Sequence, residues 1–439
     1  HITYTHGFGV VASQVNTANP EGQPVFLASN IPPQGAAEIV PEDDPGVYFG
    51  DFDSPAYSLV RTDAMELDYE EPGTQEQVST VYEGEGGVDI GSFTRRLAFA
   101  LRFNDYNIVL PNPLNDDSRI IFNREVRERV QQVAPFLELD GDPYPAVVDG
   151  RVQWIVDAYT TSNMWPYSQR EQIVAGDRAV PVNYVRNSVK AVVDGYHGTI
   201  TLYRVEEDDP VLDAWEQAFP GVVTPIEDVS DNLRAHFRYP QDMFRLQASL
   251  YATYHIPDAD GFFNRADAWS IPADPVATAN VQGGTEFGQQ QQQTGQQALE
   301  PYYLLMRLPG EAEEEFVLIQ PYLAQGRENM VAWLAGRGEG EHLNELFAVR
   351  FPSNQLVLGP AQAQARIEQD DLISEYITLR QRAGTQVIRG NMQVLPIADS
   401  ILYVEPLFLQ NPNAEIPELA RVAVVMGERT TFDRTLAGA

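Results

Sequence analysis

The sequence predicts an α+β fold that is β-rich in its N- and C-terminal portions, helical in the middle, and divided into two lobes. Short β-branched and aromatic runs dominate both ends, helically spaced apolar residues dominate 210–254, and a polar, glutamine-rich stretch follows that helical centre. With 439 residues, 43% of them hydrophobic, the chain can bury a substantial core. We expect an N-terminal lobe over residues 1–272, a flexible insertion over 273–299 and a C-terminal lobe over 300–439.

The first 82 residues predict strands joined by long loops. Apolar runs at 9–13, 24–27 and 57–61 are rich in β-branched and aromatic side chains, and proline and glycine separate them. Two amphipathic helices are expected next, at 92–103 and 119–134, because apolar residues recur there at helical spacing.

Two β-hairpins are predicted between these helices and the helical centre. Asp149 and Gly150 separate the apolar runs of 147–156, and an Asp-Gly pair between such runs is a strong hairpin signal. The stretch 189–205 repeats the arrangement with a longer turn at 194–198.

The centre, 210–254, predicts helices interrupted at Pro220 and Pro240. The insertion at 273–299 has almost no large apolar residues, so it cannot bury enough surface to stay ordered. Beyond it, short apolar runs alternate with turns and predict a second β-rich unit, with one helical pattern at 362–382.

The composition excludes several classes of function. A formal net charge of -34 opposes binding to nucleic acid phosphates, so we expect no nucleic acid partner. The absence of cysteine excludes disulfides, thiolate metal sites and thiol nucleophiles. Lys190 is the only lysine, so lysine-based covalent chemistry has one candidate. No apolar run approaches the ~18 residues that span a bilayer.

The densest acidic cluster, Glu138–Tyr144, contains two candidate calcium ligands, Asp140 and Asp142. Alternate carboxylates around a glycine can hold Ca²⁺, which prefers oxygen ligands. The EF-hand spacing is absent, and the alternative is that both aspartates cap their own turn. Calcium is the only cofactor that we retain as a hypothesis.

Arg234, His236 and Arg238 concentrate basic or titratable groups in a short segment of an acidic chain. Bidentate arginine contacts could hold an anionic ligand there. Alternatively, these arginines pair with nearby carboxylates. The histidines match no metal-binding motif.

Asp157, Tyr159, Trp165 and Tyr167 place aromatic rings beside hydroxyl groups and a carboxylate, immediately after the first hairpin. A sugar-binding cleft uses such groups, but so does a packed loop under a sheet, and both interpretations remain open. The chain contains no nucleophile elbow, phosphate-binding glycine-lysine loop or dinucleotide-binding turn.

Ten stretches carry a family resemblance: Tyr4–Val11, Ala134–Leu137, Asp142–Tyr144, Trp154–Thr161, Asn183–Lys190, His236–Pro240, Glu315–Leu318, Arg327–Met330, Gly359–Pro360 and Tyr403–Leu407. They resemble the signature stretches of uncharacterised protein family 0182. The likeness covers nearly the whole chain, with small departures such as Phe8 in place of an expected tyrosine and the glutamine-rich insertion.

Members of that family are large bacterial integral membrane proteins in which several transmembrane helices precede a long soluble region. The resemblance implies that this chain is that region, excised from the longer protein, on the extracytoplasmic side of the cell membrane and held there by transmembrane helices absent from the chain. It implies no catalytic or binding residues.

We therefore expect an extracytoplasmic binding or assembly domain that contacts an envelope protein, glycan or lipid. The alternatives are an extracytoplasmic enzyme acting on envelope glycan or lipid, with 140–167 and 234–238 converging on one pocket, and a structural calcium-dependent module.

Overall fold

The computed structural model describes residues 2–41, 45–51, 55–71, 73–74, 76–110, 112–176, 178–277, 297–382, 384–397, 400–410 and 417–439. The chain divides into two compact units, the first formed by residues up to Ser13 with Phe26–Met243 and the second by Gln14–Val25 with Phe244–Ala439. Both units combine sheets with helices, which confirms the predicted β-rich α+β class. None of the helices in these ranges is long and apolar enough to cross a membrane.

The strands that begin before residue 243 are β1 (Gly7–Phe8), β2 (Ala12–Ala18), β3 (Pro24–Ser29), β4 (Gln34–Gly35), β5 (Gly46–Val47), β6 (Tyr57–Val60), β7 (Glu66–Glu70), β8 (Gln77–Thr80), β9 (Val88–Asp89), β10 (Arg119–Phe122), β11 (Glu138–Leu139), β12 (Tyr144–Val148), β13 (Arg151–Ser162), β14 (Glu171–Ala175), β15 (Arg178–Val182), β16 (Tyr184–Asp194), β17 (Ile200–Arg204) and β18 (Thr224–Pro225). Those that follow are β19 (Trp269–Ser270), β20 (Tyr302–Met306), β21 (Glu315–Ala324), β22 (Met330–Arg337), β23 (Glu345–Arg350), β24 (Gln386–Arg389), β25 (Gln393–Ile397), β26 (Ser400–Gln410), β27 (Glu418–Met426) and β28 (Arg429–Asp433).

The α-helices are α1 (Phe93–Phe103), α2 (Val126–Val133), α3 (Pro210–Ala218), α4 (Asp231–Arg234), α5 (Gln241–Tyr254), α6 (Ala259–Asn264), α7 (Pro360–Gln369) and α8 (Asp371–Arg382). Short 3₁₀ helices span Tyr106–Val109, Ile226–Asp228 and Gly340–His342.

The largest sheet of the first unit has the order β11-β13-β16-β17-β18, with β12 also paired to β13. Its central strands β13 and β16 are antiparallel and long, and a bulge lies between Ala158 and Tyr159. One face carries small and β-branched residues and packs against α2 and α3, which contribute Val130 and Leu212 to this core. Because side chains alternate along a strand, the neighbouring residues of β13 and β16 point to the opposite face.

Both predicted hairpins are confirmed. Asp149 and Gly150 connect β12 to β13 with φ angles of 51° and 79°, the left-handed conformation that a two-residue hairpin turn requires. The turn at 194–198 connects β16 to β17.

The predicted helix at 119–134 is wrong in its first part. Residues Arg119–Phe122 form β10, which pairs with β6 and β9, and the helix begins only at Val126. Ile120 and Ile121 are both fully buried on opposite faces of this short strand. Their spacing satisfied a helical pattern locally, but pairing with distant strands determined the structure.

Helix α3 is attached to the largest sheet through its N-cap, Asp209. One carboxylate oxygen accepts hydrogen bonds from the hydroxyls of Thr160 and Ser188, and the other accepts from the Tyr184 hydroxyl at 2.7 Å and the Val211 amide at 2.9 Å. Asp209 is fully buried. The carboxylate therefore joins β13, β16 and α3.

The second unit contains two five-stranded sheets, β19-β21-β22-β23 with β20 on β21, and β24-β26-β27-β28 with β25 on β26. The predicted helix at 362–382 lies within α7 and α8, which meet at Asp370. This aspartate accepts hydrogen bonds from the amides of Leu372 at 3.0 Å and Ile373 at 3.2 Å, which begins a new helix there.

The predicted flexible insertion at 273–299 falls largely on residues 278–296, which lie outside the described ones. Its described ends are joined, because Ala273 and Ala298 form an antiparallel bridge and the Asp274 amide donates to the Gln297 carbonyl at 2.8 Å. The lobe boundaries at 272 and 300 stay a prediction.

Asp209 should stabilise the first unit in a pH-dependent way. Burial alone would raise its pKa, but hydrogen bonds from Ser188, Thr160 and Tyr184 hold that pKa below its usual value. Such a carboxylate stabilises the fold above the unfolded pKa of about 3.9 and loses this contribution as the pH falls through the folded pKa. We expect Asp209→Asn to lower the free energy of unfolding by about 2–3 kcal/mol at pH 7, measured by urea denaturation.

The difference between the Asp209→Asn variant and the unsubstituted protein should begin to shrink as the pH falls below about 4 and should reach its minimum below the folded pKa of Asp209, where both carry a neutral side chain. Asp208→Asn is the matched control, because Asp208 is the exposed neighbouring carboxylate and should change the free energy of unfolding by less than about 0.5 kcal/mol. A difference for Asp209→Asn that does not vary with pH would contradict this assignment.

Candidate functional site

The second face of the β13–β16 sheet is polar and buried, and it holds five of the predicted site residues. Asp157 lies opposite Lys190 in the strand register. Their neighbours Val156 and Val189 point into the apolar core with α2 and α3, so the alternation of β-strands directs Asp157 and Lys190 to the other face.

Asp157 and Lys190 form an ion pair in the protein interior. The Lys190 Nζ donates to Asp157 Oδ1 and, at 2.7 Å, to the carbonyl oxygen of Arg238. It also lies 5.6 Å from the ring centroid of Phe237. Lys190 has no exposed surface and Asp157 has 2%. Burial raises the pKa of Asp157 and lowers that of Lys190, and the attraction between the two charges opposes both changes.

Asp140 lies beside this pair and accepts hydrogen bonds at both oxygens. Its Oδ2 accepts from the Tyr159 hydroxyl and, at 2.9 Å, from the backbone amide of Asp242, while Oδ1 accepts from the amide of Asp142 at 2.9 Å. Burial, and then the negative charge of Asp140, raise the pKa of Tyr159 well above its usual value. Tyr159 therefore remains a neutral hydrogen-bond donor.

Asp242, at the start of α5, accepts hydrogen bonds from two backbone amides. Its Oδ2 accepts from the amides of Gly141 at 2.8 Å and Gly176 at 3.2 Å. A Cβ atom at Gly141 would lie 3.0 Å from the Cα of Gly176, so any larger residue at position 141 would require these two backbones to move slightly apart.

Arg238 connects this cluster to the Asp142 turn. Its guanidinium donates to Asp142 Oδ2 at 2.7 Å and to the Asp142 carbonyl at 2.9 Å, and it lies 3.8 Å from the ring centroid of Tyr144. The sequence left open whether the arginines of 234–238 bind an anionic ligand or pair with carboxylates. Arg238 pairs with the carboxylate of Asp142.

We call this set the buried cluster; it comprises Asp140, Asp157, Tyr159, Lys190 and Asp242, which are buried, and the partly exposed Asp142 and Arg238. Lys190 and Asp242 were not among the predicted site residues. The sequence does contain a signal for Lys190, because this residue lies within the apolar run 189–193, and an ammonium in a buried strand requires a carboxylate partner. Asp242 has no comparable signal in the sequence.

The cluster is arranged as a scaffold. The oxygens of Asp140 that metal binding would use accept protein hydrogen bonds, and Asp142 is paired with Arg238. The calcium hypothesis stays a prediction. Through its hydrogen bonds and ion pair, the cluster attaches the segment 237–243 to the largest sheet of the first unit.

Trp165 and Tyr167 lie apart from the buried cluster in the loop of residues 163–170, which we call the aromatic loop. The Trp165 amide donates to Asn183 Oδ1 at 2.9 Å, and the Asn183 side chain donates back to the Trp165 carbonyl at 2.7 Å. The indole stacks on Tyr184 at 4.4 Å between ring centroids, and the Tyr184 hydroxyl is held by Asp209.

The aromatic loop thus presents exposed apolar groups, of which Trp165 is held in place by its contacts with Asn183 and Tyr184. Trp165 retains 41% of its surface exposure, Met164 83%, and Tyr167 is completely exposed. Tyr167 has a φ angle of 59°, a left-handed conformation that is unusual for a bulky side chain. An exposed aromatic group on an ordered backbone is the kind of group that binding surfaces use.

Arg234 and His236 are not part of either group. The Arg234 guanidinium donates to the carbonyl of Ile226 at 3.0 Å, which fixes α4 to the preceding 3₁₀ helix. His236 is half-buried, and burial lowers its pKa. Their assignment to an anion site stays a prediction.

Within the described ranges, one group of acidic and histidine side chains has metal-ligand spacing: Glu311, Glu315 and His342 in the second unit. Arg337 lies among them, 3.0 Å from Glu311 and 2.8 Å from Glu315, and His342 is 2.6 Å from Glu345. The guanidinium therefore already supplies the positive charge that these carboxylates require.

The comparisons with known proteins agree with one another. The family model described as "Uncharacterised protein family (UPF0182)" matches residues 1–380. A UPF0182 protein of Pelotomaculum thermopropionicum is 40% identical over 435 residues, covering 99% of this chain and 45% of that relative. A UPF0182 protein of Cupriavidus necator is 41% identical over 439 residues, covering 100% of this chain and 46% of that relative.

A third relative, a UPF0182 protein of Trichodesmium erythraeum, is 38% identical over 450 residues, covering 100% of this chain and 47% of that relative. The chain thus spans about half the length of the curated relatives it matches. No solved structure matches it.

The ion pair of Lys190 and Asp157 should be strongly coupled in a double-mutant cycle. Lys190→Met leaves a buried carboxylate without its cation and should lower the free energy of unfolding by about 3–5 kcal/mol; Asp157→Val should have a similar effect. The double variant should lose much less than the sum, because it leaves neither charge unpaired. Urea denaturation of the four proteins measures this coupling.

The exposed pair of Arg95 and Asp89, at 2.8 Å, is the matched control for this cycle. Its coupling energy should stay below about 1 kcal/mol, because water screens both charges. Equal coupling in the two pairs would show that burial of the Lys190 pair has no special energetic role.

Proposed function

The chain belongs to uncharacterised protein family UPF0182, and from this we propose that it is the extracytoplasmic binding or assembly portion of a longer membrane protein. It would contact an envelope protein, glycan or lipid through exposed apolar groups. The aromatic loop is the single observation that carries this proposal.

The aromatic loop supports binding because it holds an aromatic side chain in place and leaves part of that side chain exposed. The part of Trp165 that remains exposed to water contributes no burial free energy to the isolated fold, yet two hydrogen bonds with Asn183 and a stack on Tyr184 hold this residue in place. A preorganised aromatic surface loses little conformational entropy when a partner covers it. We therefore assign partner contact to Met164, Trp165 and Tyr167.

Helix α1 presents a second exposed apolar surface. Phe93, Leu97 and Leu101 recur every fourth residue and so lie on one side of the helix, and all three are exposed. Beside this stripe Ala100 is buried, and on the opposite side Phe99 packs against the core of the first unit. A helix with apolar residues on both sides supports contact with a further surface, either a partner or a membrane.

The enzyme alternative expects 140–167 and 234–238 to form one cleft. Asp140, Asp142 and Arg238 do lie together, but they pair with one another in the buried cluster. This arrangement gives no observation that favours catalysis, and we propose no second function.

The proposed location can be tested with one introduced thiol. Because the chain contains no cysteine, Tyr167→Cys gives it a single thiol at a completely exposed position. In the full-length protein in intact cells, we expect a membrane-impermeant maleimide to label this variant as strongly as it does in lysed cells. The unsubstituted full-length protein is the control for any other thiol. Labelling only after lysis would place the loop in the cytoplasm and refute the proposal.

Binding by the aromatic loop can be tested by site-specific crosslinking. A photoreactive residue at Met164 in the membrane-embedded full-length protein should give a discrete adduct. Trp165→Ala should weaken this contact by about 2 kcal/mol, roughly 30-fold, as expected for a central aromatic residue. Tyr167→Asn should also reduce the adduct, and asparagine tolerates the left-handed conformation there.

Phe263→Asn is the matched control for crosslinking, because Phe263 is a highly exposed aromatic residue of the second unit and its loss should leave the adduct unchanged. Far-UV circular dichroism checks that each variant folds. An adduct whose yield is unaffected by both Trp165→Ala and Tyr167→Asn would exclude the aromatic loop as the contact.

A further inference from the structure

A cavity of about 300 Å³ lies in the second unit, between the end of α5, the segment after α6 and the end of β21. Five polar side chains line it. Ser249 and Thr253 are one turn apart on α5, Arg265 directly follows α6, Ser270 lies in β19, and Gln325 follows β21. Four separate elements thus direct polar groups to one space.

These five side chains have no protein partner within the part of the chain that the structure describes. Three hydroxyls, one amide and one guanidinium therefore keep their hydrogen-bonding capacity for a bound molecule. Protein polar groups that converge on a cavity without pairing are the groups that orient a ligand. The buried cluster differs in this respect, because each of its carboxylates is paired with protein groups.

The charge of the cavity is opposite to that of the chain. No carboxylate lines it, although the chain has 63 acidic and 29 basic side chains. Asp267, the acidic residue nearest in sequence to the lining, is paired with Arg350 at 2.8 Å. The guanidinium of Arg265 thus lies among neutral donors, an arrangement that favours an anion.

The apolar part of the wall is fixed. The Trp269 ring stacks on His255 at 3.5 Å between ring centroids, and the Arg350 guanidinium lies 5.3 Å from the Trp269 centroid. Trp269 and Ile271 therefore give the cavity an apolar side, of which the Trp269 ring is held by its stacking contacts. A ligand that fits needs a carbon body as well as an anionic group.

We propose that this cavity binds a small hydroxylated oxyanion the size of an acidic monosaccharide. Its carboxylate or phosphate lies at Arg265, and its hydroxyls bond to Ser249, Thr253, Ser270 and Gln325. The volume is at the lower limit of ligand pockets, about 300–1,000 Å³, which fits one sugar unit and not a chain of them. This inference does not depend on the aromatic loop or on the side of the membrane.

Isothermal titration of the 439-residue chain with four probes tests the ligand class. We expect glucuronate and glucose 6-phosphate to bind, and glucose and inorganic phosphate to bind at least about tenfold more weakly, because each lacks either the anion or the hydroxylated body. Absence of binding by both anionic sugars at millimolar concentration overturns the proposal. Phosphate that binds as tightly as glucose 6-phosphate overturns the role of the hydroxyls.

Arg265→Gln tests the location of the site. Arg265 has a φ angle of 51°, and glutamine would carry the same backbone strain, so the variant removes the charge with little other change. It should weaken glucuronate binding about tenfold or more, whereas the exposed Arg429→Gln should not change it. Ser270→Ala should weaken binding roughly two- to tenfold.

Glucuronate binding that Arg265→Gln leaves unchanged places the anion elsewhere and refutes the site. Far-UV circular dichroism and the melting temperature verify the fold of each variant. Trp165→Ala should not affect these titrations, so failure here is distinguishable from failure of the proposed function.

Discussion

The ion pair between Lys190 and Asp157 is the constraint on which the first unit depends. It removes two charges from water, at a cost of several kcal/mol each, which their contact, the Arg238 carbonyl and the Phe237 ring offset. The segment 237–243 must therefore stay on the sheet, since it supplies the carbonyl. The next residue, Phe244, begins the main part of the second unit, so the same contacts fix the start of α5.

Local features of the fold were predictable from the sequence because their causes are local. The Asp149-Gly150 turn needs two residues that tolerate positive φ. Pro220 follows the end of α3 and Pro240 directly precedes α5, so both prolines lie outside the helices, as a residue without an amide donor favours. The failure at 119–134 has a non-local cause. Residues 119–122 pair with β6 and β9, and no pattern within the segment itself reveals strands that lie 30 or more residues away.

The candidate site was predictable in its parts but not in its assembly. The acidic turn of Asp140 and Asp142 and the basic segment of Arg238 are visible as composition, yet 96 residues separate Asp142 from Arg238. Only the folded sheet brings them together. The separation of Trp165 from Asp157 follows from the length of β13, which ends at Ser162 and leaves the later aromatic residues in a loop.

The burial of Lys190 also makes the folded chain almost inert to amine chemistry. It is the only lysine in the sequence and has no exposed surface, so a reagent that acylates primary amines can reach its side chain only when the sheet opens. The rate of acylation at this one position then reports how often β13 and β16 separate from the segment 237–243. The sequence thus contains a built-in probe of local opening that requires no engineered label.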